Sequence, residues 1–70
     1  MIQVEERNGF VIKEKEEHEM GIFSECRYVV FHPNFEGTFI DDFRSITQAK
    51  DFCDKESADE WAEHIRSHSR

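Results

Sequence analysis

Seventy residues of 8.4 kDa leave room for one small domain, residues 1–70, because a second independent core needs about 50 residues more. The apolar share is 37% and the charged share 36%, against about 45–50% and about 25% in average globular chains, so folding requires almost every large apolar side chain. Sixteen Asp and Glu against nine Lys and Arg give a net charge of −7, which argues against a general affinity for phosphate backbones.

High charge is also a mark of disorder, but aromatic residues make up 13% of the chain and supply the area that a compact core needs. From the N-terminus, Ile2 and Val4 alternate with polar residues up to Asn8-Gly9, and Phe10-Val11-Ile12 follows; this predicts a β-hairpin. A two-residue loop pairs Arg7 with Phe10 and divides the apolar residues between two faces. A three-residue loop, Arg7-Asn8-Gly9, pairs Glu6 with Phe10 and Val4 with Ile12, gathers Ile2, Val4, Phe10 and Ile12 on one face, and is the register expected.

Residues 13–19 either extend the second strand into solvent or form a charged connection. The aromatic and β-branched run from Cys26 to Phe31 predicts a third strand. Pro33 and Gly37 bracket a longer loop before a fourth strand that opens with Thr38-Phe39-Ile40. The last third is helical, with capping-box patterns at Ser45-Ile46-Thr47-Gln48 and Ser57-Ala58-Asp59-Glu60. In one straight helix Ile46, Ala49, Phe52 and Cys53 face away from Ala58, Trp61, Ala62 and Ile65. The chain must therefore bend, or Trp61 and Ile65 must pack on something else, such as a second copy. The fold class expected is α+β: a small antiparallel sheet of two hairpins, about four strands, with one face covered by a C-terminal helix bent or broken near residues 55–57.

Little in the chain points to catalysis. The glycines at 9, 21 and 37 are too far apart for a phosphate-binding loop. Cys26 and Cys53 read as reduced, small buried residues and not as a disulfide or a nucleophile. His64 and His68 share one side of a helix, as zinc ligands do, but no chelating cysteine pair accompanies them. No enzyme activity, cofactor or metal is expected. With no basic and apolar leader and no long apolar run, the chain reads as cytoplasmic and without a membrane partner.

Charge is the feature that suggests recognition. Residues 1–25 carry a net −4, residues 26–40 are neutral and residues 41–70 carry −3. Glu14, Glu16, Glu17, Asp41, Asp42, Asp51, Asp54 and Glu56 are the candidate partner-binding carboxylates, within a wider set that includes Glu19, Asp59, Glu60 and Glu63. Phe35, in the polar loop, is a candidate aromatic anchor, although a ring in so small a domain is expected to fold back on the core. Trp61 and Ile65 are the candidate dimer interface.

Tyr28-Val29-Val30-Phe31, Gly37 in the turn, Phe43-Arg44-Ser45 before the helix, and Ala49 and Phe52 within it form a pattern over about a third of the chain. That segment resembles the last hairpin and helix of the arm-type DNA-binding domains at the N-terminus of tyrosine recombinases. The resemblance implies a hairpin-plus-helix fold and a sheet that reads a DNA groove with basic residues. Here the hairpin offers Arg27 and Arg44, with Asp41-Asp42 between them. The expectation taken forward is an acidic, non-enzymatic binding module. It would dock a basic surface of a nucleic-acid-handling protein as an inhibitor or accessory of viral or prophage type, without binding nucleic acid directly. The alternatives are a DNA-binding recombination accessory and a small structural homodimer.

Overall fold

The computed structural model describes residues 1–22, 24–35 and 37–68. Four strands, β1 (Ile2–Arg7), β2 (Phe10–Glu14), β3 (Tyr28–Phe31) and β4 (Phe39–Phe43), form one antiparallel sheet in the order β1-β2-β3-β4. Two helices follow, α1 (Ile46–Lys55) and α2 (Ala58–His68). The helices pack against the sheet, giving the expected α+β arrangement.

The first hairpin departs from the expected register. Its loop has two residues: Arg7 pairs with Phe10, Glu6 with Val11 and Glu5 with Ile12, and a bulge between Gln3 and Glu5 shifts the rest. Asn8 at φ 50° and Gly9 at φ 84° give the two left-handed positions of a tight turn whose twist suits a hairpin. Turn chemistry therefore prevails over gathering the apolar residues on one face, and the result is visible in β1, where Ile2 is 56% and Val4 39% exposed.

The core lies between the sheet and α1. Phe10, Ile12 and Val30 from the sheet are buried against Ala49 and Cys53, with Tyr28, Ile40, Phe43, Phe52, Ala58 and Trp61 packed around them. Alternation along β2 and β3 sends Val11, Val29 and Phe31 to the other face, and these are buried too. Described residues of the connection after β2 are bonded to β4 and to one another. Ser24 Oγ donates to Asp42, which stands opposite Val29 on β4, and the buried Lys15 donates through Nζ to the carbonyls of Ile22 and Ser24. The charged stretch after β2 is thus partly structural: it contains a short 3-10 turn, Glu17–Glu19, and an internal lysine that composition alone places in solvent.

β4 runs through Asp41 and Asp42 to Phe43, longer than the Thr38-Phe39-Ile40 core of the predicted strand. Its pairing shifts between Val30 and Phe31, and this irregularity lets Ile40 join the core while Asp41 stays exposed. The helices start where the serines predict: Ser45 Oγ accepts the Gln48 amide at 3.2 Å, and Ser57 Oγ accepts the Glu60 amide at 3.2 Å. Between them Glu56 is extended, with φ −99° and ψ 158°, and the helix breaks there.

Candidate functional site

The break makes an elbow, and the β1–β2 turn fills its inner side. Asn8 Nδ2 donates to the carbonyls of Cys53 at 2.7 Å and Glu56 at 3.1 Å, satisfying groups that the end of α1 leaves unpaired. Gly9 lies so close to α2 that an added Cβ would stand 2.8 Å from the Cβ of Ala58. Arg7 grips Asp54 through two bonds, Nε to Oδ1 at 2.7 Å and Nη2 to Oδ2 at 2.9 Å, and also reaches Glu5 at 3.0 Å. The Arg7 bonds hold the Glu5 and Asp54 carboxyls below their ordinary values and raise Arg7 in turn.

The side chains around the elbow are acidic and aromatic. Trp61 is half-buried; its ring meets Phe52 at a centroid distance of 6.3 Å and His64 at 5.6 Å. Its indole Nε1 donates to Glu56 Oε1 at 2.9 Å, which fixes the ring. Glu56 borders three shallow clefts: one with Glu60, Trp61 and His64, one with Phe43, Gln48, Asp51, Phe52 and Lys55, and one with Asn8, Gly9, Ser57, Ala58 and Asp59. Beyond the Trp61–His64 ridge lies a further cleft of about 360 Å³ formed by Thr38, Phe39, Ile40, Ile65 and His68. All four are open depressions, and none encloses a set of converging acids and bases.

The nine predicted partner-binding residues do not all meet. Asp51, Asp54 and Glu56 come together on the C-terminal part of α1 and the elbow. Glu14, Glu16 and Glu17 sit at the other end of the first hairpin, since Glu14 pairs with Ile2 while Arg7 pairs with Phe10 at the elbow end. Asp41 and Asp42 lie on the outer strand β4. Several carboxylates are already engaged: Glu14 at 3.6 Å and Glu17 at 3.9 Å share Arg27, and Asp51 pairs with Lys55 at 2.9 Å. Asp59 and Glu60, from the wider acidic set, have no cation within 4.0 Å among the described residues. Their position in the first turn of α2 also favours them there through the helix dipole.

Phe35 folds back, half-buried, with its ring 5.2 Å from that of the buried His32. Ile65 is 8% exposed and Trp61 packs on Phe52, so the break accommodates both within one chain. Cys53 is buried in the core, where loss of solvent pushes its thiol up to about 11; Cys26 is half-buried, and both are free. His64 and His68 do share a side, with rings 4.2 Å apart. Glu16, His18 and Glu19 each bring one ligand atom within 4.8 Å of the others, but Glu19 Oε2 already holds the terminal ammonium of Met1 at 2.7 Å. No helix among the described residues is long and apolar enough to cross a membrane.

No family model, no curated protein and no solved structure gives a significant match to this chain. The likeness of residues 28–52 to arm-type DNA-binding domains therefore rests on their hairpin-and-helix pattern alone.

Proposed function

We propose that this chain is a non-enzymatic acidic binding module that docks a basic surface of a nucleic-acid-handling protein through the carboxylates around the helix elbow. One observation carries the reading: of the six carboxylates in residues 51–63, Glu56, Asp59 and Glu60, at the bend and in the first turn of α2, have no cation within 4.0 Å among the described residues. Carboxylates held on short helices can occupy positions that phosphates would take on a basic partner, and they steer encounter over distances of about a Debye length. The acids around Glu14 and on β4 are left as a solvated coat that opposes self-association.

The test begins with proteins captured on the immobilised chain from a source cell extract, each then purified and measured singly. A genuine partner binds less tightly as salt rises, loses the chain when duplex DNA is added, and binds Asp59→Lys and Glu60→Lys variants more weakly. Binding that ignores both salt and DNA refutes the mechanism. Retention of a labelled duplex by the isolated chain at low salt supports the DNA-binding alternative instead.

A further inference from the structure

The geometry points to an arginine anchor: we infer that the cleft lined by Glu56, Glu60, Trp61 and His64 receives an arginine side chain from the partner protein. This inference rests on the acidic-elbow reading and names the chemical group that the elbow selects.

At about 220 Å³ the cleft is below the usual range of small-molecule sites, roughly 300–1,000 Å³, and is of side-chain size. An indole forms one part of its lining and two carboxylates another. A guanidinium matches this combination better than any neutral group, because it is planar, stacks on aromatic rings and donates several hydrogen bonds in one plane. The site is also prepared in advance. Trp61 is wedged between Phe52 and His64, and Glu56 uses only Oε1 to hold the indole, so Oε2 keeps its acceptor capacity. Glu60 contributes a second carboxylate with no cation within 4.0 Å among the described residues. The neighbouring acids along the chain, Asp51 with Lys55, Asp54 with Arg7 and Glu63 with Arg66, are paired with their own cations, which leaves Glu56 and Glu60 as the unpaired carboxylates of this cleft.

A lysine fits less well. Its compact, strongly hydrated ammonium cannot stack on the indole and satisfy two carboxylates in one plane. The other side of the ridge adds a second element of selection. The cleft between Phe39, Ile40 and Ile65 shares Trp61 and His64 with the acidic one, so an apolar residue neighbouring the arginine in the partner would lie in it.

Trp61 is the chain's one tryptophan, and its emission reports this cleft directly. An acetylated, amidated hexa-arginine peptide is titrated into the full chain at low salt, with the hexa-lysine peptide alongside, and backbone amide shifts are recorded in parallel. The expected result is a change in Trp61 emission with arginine at concentrations several-fold below those needed with lysine. The Glu56→Gln/Glu60→Gln pair, which keeps an acceptor for the indole, weakens arginine binding about tenfold, as the loss of a charge-assisted bond implies. Glu16→Gln, beyond the far end of the first hairpin, changes it less than about twofold. Equal affinity for the two peptides, or arginine binding that leaves Trp61 silent and shifts amides elsewhere, overturns the anchor while leaving an acidic docking surface in place. Failure of both peptides to bind at low salt overturns the anchor and the acidic-elbow reading together.

Discussion

Gly9 occupies a position that no other residue can take without movement. Its φ of 84° is costly for any residue with a Cβ, and the 2.8 Å approach to Ala58 adds a clash. Gly9→Ala is expected to destabilise the chain by at least about 1 kcal/mol, read as a lower denaturant midpoint at unchanged slope. Lys15 poses the opposite problem, a charged group 1% exposed whose ammonium serves two backbone carbonyls. Replacing it with Met keeps the volume but leaves those carbonyls without a donor, at a cost of about 1–3 kcal/mol. A Lys15→Met variant as stable as the parent would show that the 15–27 connection does not depend on this contact. Cys53, with its thiol pushed up to about 11 by burial, should react with a thiol reagent only on unfolding, whereas half-buried Cys26 reacts in the native chain. Because burial raises that thiol, Cys53 also contributes a loss of stability as pH rises beyond its ordinary value, about 9.

At the scale of elements, the first hairpin is the brace of the helix elbow. Asn8 terminates α1 and Arg7 ties β1 to the same helix, so the two-residue turn serves the helices as much as the strands. The Glu5 and Asp54 carboxyls are held below their ordinary values by Arg7. A carboxyl lowered in the folded chain stabilises it above the ordinary value, and that contribution disappears as pH falls through the lowered one. Unfolding followed from neutral pH to below about 4 should therefore show a loss of stability on the acid side, and Arg7→Gln should make the curve flatter. An unchanged curve would mean that the bridge does not persist in solution. The size of the effect is limited because these groups are partly exposed.

The molecule as a whole measures 33 × 26 × 16 Å and carries a net charge of −7. At about 0.01 M salt the screening length is about 30 Å, so every carboxylate repels every other across the entire structure; at about 0.1 M it is about 10 Å. Surface ion pairs such as Arg66 with Glu63 lose little on screening because they contribute little. Stability is therefore expected to rise over this salt range, by a few degrees in Tm, while binding of a basic partner weakens. A Tm that falls with salt would mean that the specific pairs outweigh the general repulsion. The opposite signs separate folding from docking in one salt series.

Much of the architecture was legible in local chemistry. Asn8-Gly9, the aromatic run before Pro33, and the serine caps at 45 and 57 act through bonds within a few residues, so they foretell two hairpins and a broken helix without knowledge of the rest. The two-residue register follows from the local turn chemistry of Asn8 and Gly9, to which the expectation of a single apolar face gave too little weight. What no local signal shows is that this turn packs against α1 and α2, more than 40 residues away. The buried Lys15 was hidden because its partners are backbone carbonyls, which no side-chain pattern reveals. Sequence alone determined that the surface is acidic and which carboxylates were candidates. Tertiary structure decided which of them share a place. Burial, ion pairing and the bend at Glu56 are long-range properties: they neutralise Asp54 with a cation from the first strand, separate Glu14 from Asp51, and set Glu56 and Glu60 beside Trp61.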